Sequence, residues 1–321
     1  MSLEYQILAA VVLDLVLGDP RWFPHPVKFI GRFASGLESP IRRIIPNART
    51  AGVATALTVI LITGFAAAAL IYGAARLHPV FGSAVSILLL YTTFAARDLA
   101  NHSAEVYKAL RKGDLVHARY RVSWMVGRDT DNLNEAGVVR GAVESVAENT
   151  VDGVTAPLFF AIIGGPVGAM VYKAINTLDS TFGYKNERYI KFGWASARID
   201  DLANFLPARL TAPIVVLAAF ILRLRPGNAL RICLRDRSKH ASPNSGITEA
   251  AFAGALGVEL GGLLHRKGVP VEMPRLGDPI VELEQKHILQ VNALMLVTMI
   301  LSAGAFLGIR LAFMYLWGEL I

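Results

Sequence analysis

With 321 residues, 54% of them hydrophobic and only 18% charged, and a mean hydropathy of +0.45, the chain is too apolar for an ordinary soluble domain, in which about a quarter of residues are charged. Its net charge of +7 does not call for nucleic acid, because a helical membrane protein keeps Lys and Arg in its cytoplasmic loops for topological reasons. The single cysteine, Cys233, excludes an internal disulfide and any multi-cysteine zinc or iron–sulfur site.

Residues 3–17 are apolar enough for a helix but short for a span, and Asp14 falls near the end, so an interfacial helix is expected. No basic n-region precedes it, and the segment is expected to stay in the mature protein. In the next stretch, GDPRWFPHPVKFIGRF, Pro20, Pro24 and Pro26 each fix φ, which predicts a shaped loop and not a helix. Trp22 and Phe23 suit interface anchors. Asp14, Asp19, His25, Lys28 and Arg32 crowd the same stretch, however, and ionisable groups this dense at a membrane edge favour a site.

Residues 51–75 are uncharged and, at about 37 Å of helix, long enough to cross a bilayer. Only Arg76–Pro79 separate them from the run 80–96, which must therefore return as a helical hairpin, with Tyr72, Tyr91 and Phe94 as packing or interface residues. In 97–153, Gly113 before Asp114 and Gly127 before Asp129 and Asp131 predict two helix stops, each followed by an N-cap. Leu99, Val106 and Leu110, then Leu115, Val122 and Met125, recur at helical spacing and imply a small helical subdomain lying on the membrane. In the third helix Val139, Ala142 and Val146 make the apolar stripe, with Arg140, Glu144 and Glu148 at i, i+4 and i+8 on a neighbouring face.

The run 154–172 is broken at Gly164-Gly165-Pro166, where a helix loses hydrogen bonds and kinks or turns back. Glu144, Glu148 and Asp152 precede it; Asn176, Asp179, Asp200, Asp201 and Asn204 follow it. An ionised side chain at a bilayer centre costs at least roughly 2.5–3.5 kcal/mol, so the six acids are expected to converge on one wet pocket that holds a cation or substrate. Between the last two apolar runs, 205–222 and 288–308, lies the polar insertion 223–287. There Arg235, Arg237, Lys239, His240, Ser242, Asn244 and Ser245 make a donor-rich loop suited to a phosphate, ahead of a small-residue helix EAAFAGALGVELGG. Arg310 is read as interrupting the last run.

These features predict an all-α, polytopic integral membrane protein, a single domain over 1–321 with cytoplasmic helical loops and apolar spans at 51–75, 80–96, 154–172, 205–222 and 288–308. Regions 97–153 and 223–287 hold 18 of the 32 Lys and Arg and are placed on the cytoplasmic side. Residues 173–209, with 6 more, join them if 154–172 is kinked or re-entrant.

No P-loop, dinucleotide fingerprint or H-E-x-x-H helix occurs. What remains is acids, amides and bases, namely Asn176 with Asp179, Lys185 with Asn186, and Asp200, Asp201 and Asn204 ahead of Arg209. Carboxylate and amide oxygens are the ligands Mg²⁺ prefers, usually shared with substrate phosphates whose charge Lys and Arg balance. A Mg²⁺-phosphate site is therefore expected, with Glu144, Asp179, Asp200 and Asp201 as metal ligands.

The strings LDLVLGDPRWFPHPVKFIGR, RDTDNL, ESVAENTVDGVTAPLFF, YKAINTLDSTFGYKNERY, ARIDDLANFLPARL and KHASPNSG together resemble the CbiB/CobD family of cobalamin biosynthesis, the adenosylcobinamide-phosphate synthases, from about residue 11 to about residue 280. The resemblance implies a multi-pass inner-membrane carbon–nitrogen ligase whose active site faces the cytoplasm. It would join adenosylcobyric acid to aminopropanol or its O-phosphate, with ATP as co-substrate, Mg²⁺, and an acyl phosphate on the way. Membrane lipid and other cobalamin-assembly enzymes are the expected partners; nucleic acid is not. The catalytic acids are expected among Glu144, Glu148, Asp152, Asp179, Asp200 and Asp201. Substrate contacts are expected from Asp14, Asp19, His25, Lys28, Arg128, Asn149, Asn176, Lys185, Asn186, Asn204, Arg209, His240, Ser242 and Asn244. Two rival readings use the same residues. The Asp-rich pairs look like the Mg²⁺-diphosphate sites of membrane prenyltransferases, and a broken helix is also what a transporter places at its midplane.

Overall fold

A computed structural model of the chain describes residues 1–20 and 25–318, so Trp22, Phe23 and Pro24 lie outside the described residues. Its helices are α1 (Leu3–Leu17), α2 (Pro26–Ile44), α3 (Ala48–Leu77), α4 (Pro79–Tyr91), α5 (Ala96–Arg111), α6 (Leu115–Val122), α7 (Glu135–Thr150), α8 (Ala156–Phe182), α9 (Trp194–Ile221), α10 (Pro226–Asp236), α11 (Ser245–Leu256) and α12 (Lys286–Gly318). A π-helical turn, Val151–Thr155, joins α7 to α8, and a β-hairpin of β1 (Leu260–Arg266) and β2 (Val269–Leu276) follows α11. The fold is all-α in character. Five helical runs among the described residues are long and apolar enough to cross a membrane: Ala48–Leu77, Pro79–Arg111, Glu135–Phe182, Trp194–Ile221 and Lys286–Leu316. The chain divides into two compact units, one of Met1–Ala95, Ala156–Asn204 and Ala305–Ile321, the other of Ala96–Thr155 and Phe205–Gly304.

In the first unit the core gathers Ile30 and Ala34 of α2, Ala51, Ala56 and Val59 of α3, and Met170, Ala174, Leu178 and Phe182 of α8. His78 alone connects α3 to α4, its Nδ1 accepting the Val80 N–H, and Gly82 lets α4 close on the Ala75 backbone. The loop expected over GDPRWFPHPVKFIGRF gives way to helix at Pro26. Pro26 occupies the first turn of α2, where the missing N–H has no intrahelical partner to lose, and the chain from there to Ile44 is helix. His25 Nδ1 caps that turn by accepting the Val27 N–H.

Helix α8 bends at Gly165, whose φ of 60° and ψ of −155° suit only glycine, and Pro166 follows it. Pro166 has no N–H to give the Ile162 carbonyl four residues earlier. Arg310 supplies that donor at 2.9 Å and also bonds Glu4 at 2.9 Å. Helix α12 therefore runs on through Arg310, contrary to the expected interruption, because the guanidinium is neutralised and hydrogen-bonded where it sits.

In the second unit, Gly113 takes a left-handed conformation (φ 72°) and Asp114 caps α6 by accepting the His117 N–H, as the sequence predicts. The cap of α7 is Asn134, not Asp129 or Asp131. Asp129 instead accepts the Lys267 and Gly268 N–H groups at 2.9 and 2.7 Å, tying down the β1–β2 turn. Both turn residues have positive φ, the geometry of a two-residue hairpin turn. The expected helix EAAFAGALGVELGG stops at Leu256 with Gly257 in the left-handed region, and its remainder enters β1.

Candidate functional site

Helix α11 is buried along its whole length in the second unit, packed on α10 and α7, and it carries one ionisable side chain, Glu249. Opposite, on α7, Glu144 bonds Arg128 through Oε2 and accepts the Gly261 N–H at 2.6 Å through Oε1. Arg140, one turn earlier, donates to the Gly261 carbonyl at 3.3 Å. The bulge at Gly261 in β1 is thereby clasped from α7. Burial foremost, then the charges of Glu148 and Glu144, push the Glu249 carboxyl well above the usual carboxylate range, against the pull of Arg128. His240 Nε2 lies 4.0 Å from Glu249 Oε1. Its Nδ1 accepts the Ser242 N–H, which leaves the ring proton on Nε2, facing the acid.

The loop after α10 is organised by Asp236, whose carboxylate is fully buried and binds Arg235, Lys239 and the Gly277 N–H. Burial opposes ionisation there, yet these partners hold Asp236 well below the usual carboxylate range. Arg235 and Lys239 are thus committed to the scaffold, and Arg235 also pairs with Asp278 at 2.7 Å. Arg209 bonds Asn244 Oδ1 at 3.2 Å and stacks on the Phe205 ring, within Coulomb reach of Arg237. Asp152 sits in the π-helical turn, half-buried, and Asn149 donates to the Ser145 carbonyl. The same turn is pinned by a 2.7 Å bond between the Thr155 and Thr211 hydroxyls.

In the first unit, the Tyr172 hydroxyl donates to Asn204 Oδ1 at 2.9 Å, and Asn204 Nδ2 donates to Asp200 Oδ2 at 3.0 Å. All three residues are buried. Phe160 stacks on the Tyr172 ring at 5.0 Å. Asp179 lies within Coulomb reach of Asp201, which pairs with Arg198 at 3.6 Å and feels Lys185. Asn176 is half-buried on the same helix, and exposed Asn186 accepts the Tyr189 N–H. Toward the N-terminus, Asp14 is buried in α1, Asp19 stands 3.4 Å from His25 Nε2, and Lys28 is exposed in the first turn of α2. The Tyr91 hydroxyl donates to the Gly18 carbonyl beside them.

The family model described as "CobD/Cbib protein" matches residues 7–295. The chain belongs to the CobD/CbiB family. It is 48% identical over 300 residues to the "Cobalamin biosynthesis protein CobD" of Leptospira interrogans, covering 94% of this chain and 95% of that one. To the protein of the same name from Geobacter metallireducens it is 55% identical over 278 residues, 87% of each chain. The "Cobalamin biosynthesis protein CbiB" of Salmonella typhi is 44% identical over 304 residues, with 94% and 95% covered. No solved structure matches.

Most of the polar residues of this CobD/CbiB chain's site are expected from its sequence; Glu249 and Tyr172 are not. Glu249 had a visible signal: it is the one charged residue between His240 and Glu259, inside a stretch otherwise built for burial. Tyr172 precedes Asn176 by one helical turn and stands at the end of an apolar run, which hides its hydroxyl in the sequence. Among the described residues, no group of three or more His, Cys, Asp and Glu is placed to hold a metal ion. Mg²⁺ is nevertheless commonly bound through one or two carboxylates with water and substrate phosphate completing its shell. Asp179 and Asp201 fit that description better than Glu144, both of whose oxygens are engaged, or Asp200, which holds Asn204.

Proposed function

We propose that the chain acts in cobalamin biosynthesis as the ligase that forms the amide between adenosylcobyric acid and aminopropanol or its O-phosphate, using ATP at the cytoplasmic face of the inner membrane. The observation that carries the reading is the second unit's buried cluster of Glu249, Glu144, Arg128 and His240, supported by family membership over nearly the whole chain. Amide formation from a free carboxylate needs activation, then a proton acceptor for the attacking amine.

In this reading the substrate carboxylate oxygen attacks the γ-phosphorus of ATP, ADP leaves, and the amine nitrogen then displaces phosphate from the acyl phosphate. Arg209 and Arg237 are near enough to repel one another, and a phosphate between them relieves that repulsion. Asn244 orients Arg209 for that task. In this reading the ionised form of Glu249 accepts the amine's proton, the Nε2 side of His240 faces it, and the Arg128–Glu144 pair sets the field around it. Within the first unit, Asp179 and Asp201, with Asn176 on the same helix as Asp179, would hold a Mg²⁺, which would supply charge neutralisation to a phosphate bound there.

Turnover of adenosylcobyric acid labelled with ¹⁸O in the free carboxyl tests the chemistry. The expected result is one labelled oxygen in the released inorganic phosphate, together with ADP. Label in AMP would replace the acyl phosphate with an acyl adenylate.

A further inference from the structure

Helix α2 separates two faces sharply. Ile30, Ala34 and Glu38 are buried toward α3 and α8, Lys28, Arg32, Ser35, Ser39 and Arg43 are exposed on the opposite side, and Phe29, Phe33, Pro40 and Ile44 form an exposed apolar stripe along one flank. On the shoulder between these faces lies a cavity of about 420 Å³ lined by Glu38, Ser39, Arg42, Arg43 and Arg188, a ligand-sized volume. Glu38 does not make it acidic. Its carboxylate is gripped by Arg188 at 2.8 and 3.1 Å and by Arg42 at 3.0 Å, so the lining carries more guanidinium than carboxylate.

Those bonds also orient the cations. Arg42 is held by Glu38, by the Arg188 carbonyl at 2.9 Å, and by stacking 4.1 Å over the Phe192 ring; Arg188 lies over Tyr189. A guanidinium has more N–H donors than these bonds use, so both keep donors for an anion. Arg43 makes no hydrogen bond or ion pair among the described residues and borders the exposed apolar stripe directly.

We propose that this cavity binds the headgroup phosphate of an anionic glycerophospholipid, with the acyl chains lying along Phe33 and Ile44. Preformed arginines match a phosphate diester geometrically. The apolar flank distinguishes a lipid from a free anion, because a soluble phosphate gains nothing from exposed Phe and Ile beside it. Arg49 stacked 3.6 Å over the Trp194 ring continues the same aromatic and basic composition in this unit, as expected of a segment at the headgroup level.

The full chain, purified in detergent and offered either phosphatidylglycerol or phosphatidylcholine, tests this by native mass spectrometry. Phosphatidylglycerol should be retained in preference, and Arg43→Gln should lower its occupancy about five-fold while leaving phosphatidylcholine and Tm unchanged. Arg43→Lys should keep most of the preference. Equal retention of the two lipids, or indifference of phosphatidylglycerol to Arg43→Gln, overturns the proposal. Displacement of phosphatidylglycerol by millimolar inorganic phosphate would instead assign the cavity to a soluble anion and overturn the lipid assignment.

Discussion

Arg310 serves two groups at once in the first unit. It answers both the Glu4 carboxylate and the carbonyl that Pro166 leaves without a donor. Arg310→Leu should therefore cost about 3 kcal/mol, more than its apolar surroundings suggest, and double replacement with Glu4→Gln should recover part of the loss; thermal melting in detergent measures both. Glu249 is the corresponding residue for chemistry. Glu249→Gln keeps the shape of the buried side chain but cannot take up a proton, so turnover should fall by about 10²–10⁴-fold with Tm nearly unchanged. Unaltered turnover would remove Glu249 from the proton path.

At the scale of elements, the kink in α8 rests on Gly165. Gly165→Ala meets no severe contact, its nearest neighbour being Leu3 at 3.7 Å, so the expected penalty of about 1–3 kcal/mol is backbone strain alone. The loop after α10 depends on ionised Asp236. Because its folded pKa is depressed, the stability it contributes is complete above the unfolded Asp value of about 3.9 and is lost as pH falls below that value toward the folded one. Acid melting of the wild type should therefore show a loss in this range that Asp236→Asn lacks, the variant being less stable by about 2–3 kcal/mol at neutral pH. Helices with plain caps and stripes, such as α6 and α7, were legible from Gly113, Asp114 and the Val139–Val146 spacing. The hairpin was not, because Gly261, Gly262, Pro270 and Pro274 all argue against strand; an isolated two-stranded ribbon has only edges, which tolerate them.

At the scale of the whole molecule, the apolar runs announced the five membrane-length helices because backbone polar groups in hydrocarbon must be satisfied within the segment. The site was legible as a set of acids and amides but not as an arrangement. Nothing in the spacing shows that Glu144 is tied to Arg128 and Gly261, or that Asn204 reaches Tyr172, since these contacts join residues at least 16 positions apart; only the Asp200–Asn204 bond, four positions apart on one helix, follows from spacing. Basic content predicts that 97–153 and 223–287 lie on the cytoplasmic side. Single cysteines introduced in either region of a Cys233→Ser background should react with an impermeant maleimide only after the inner membrane is opened; labelling in intact spheroplasts would reverse the topology.

The amide-forming activity is read by mass spectrometry of the corrinoid after the purified chain is incubated in lipid with adenosylcobyric acid, ATP, Mg²⁺ and either aminopropanol or its O-phosphate. The expected product is heavier than adenosylcobyric acid by the amine less one water, forms only with ATP present, and is lost in Glu249→Gln. Unchanged adenosylcobyric acid with both amines, from protein that remains folded and binds the corrinoid, would contradict the account.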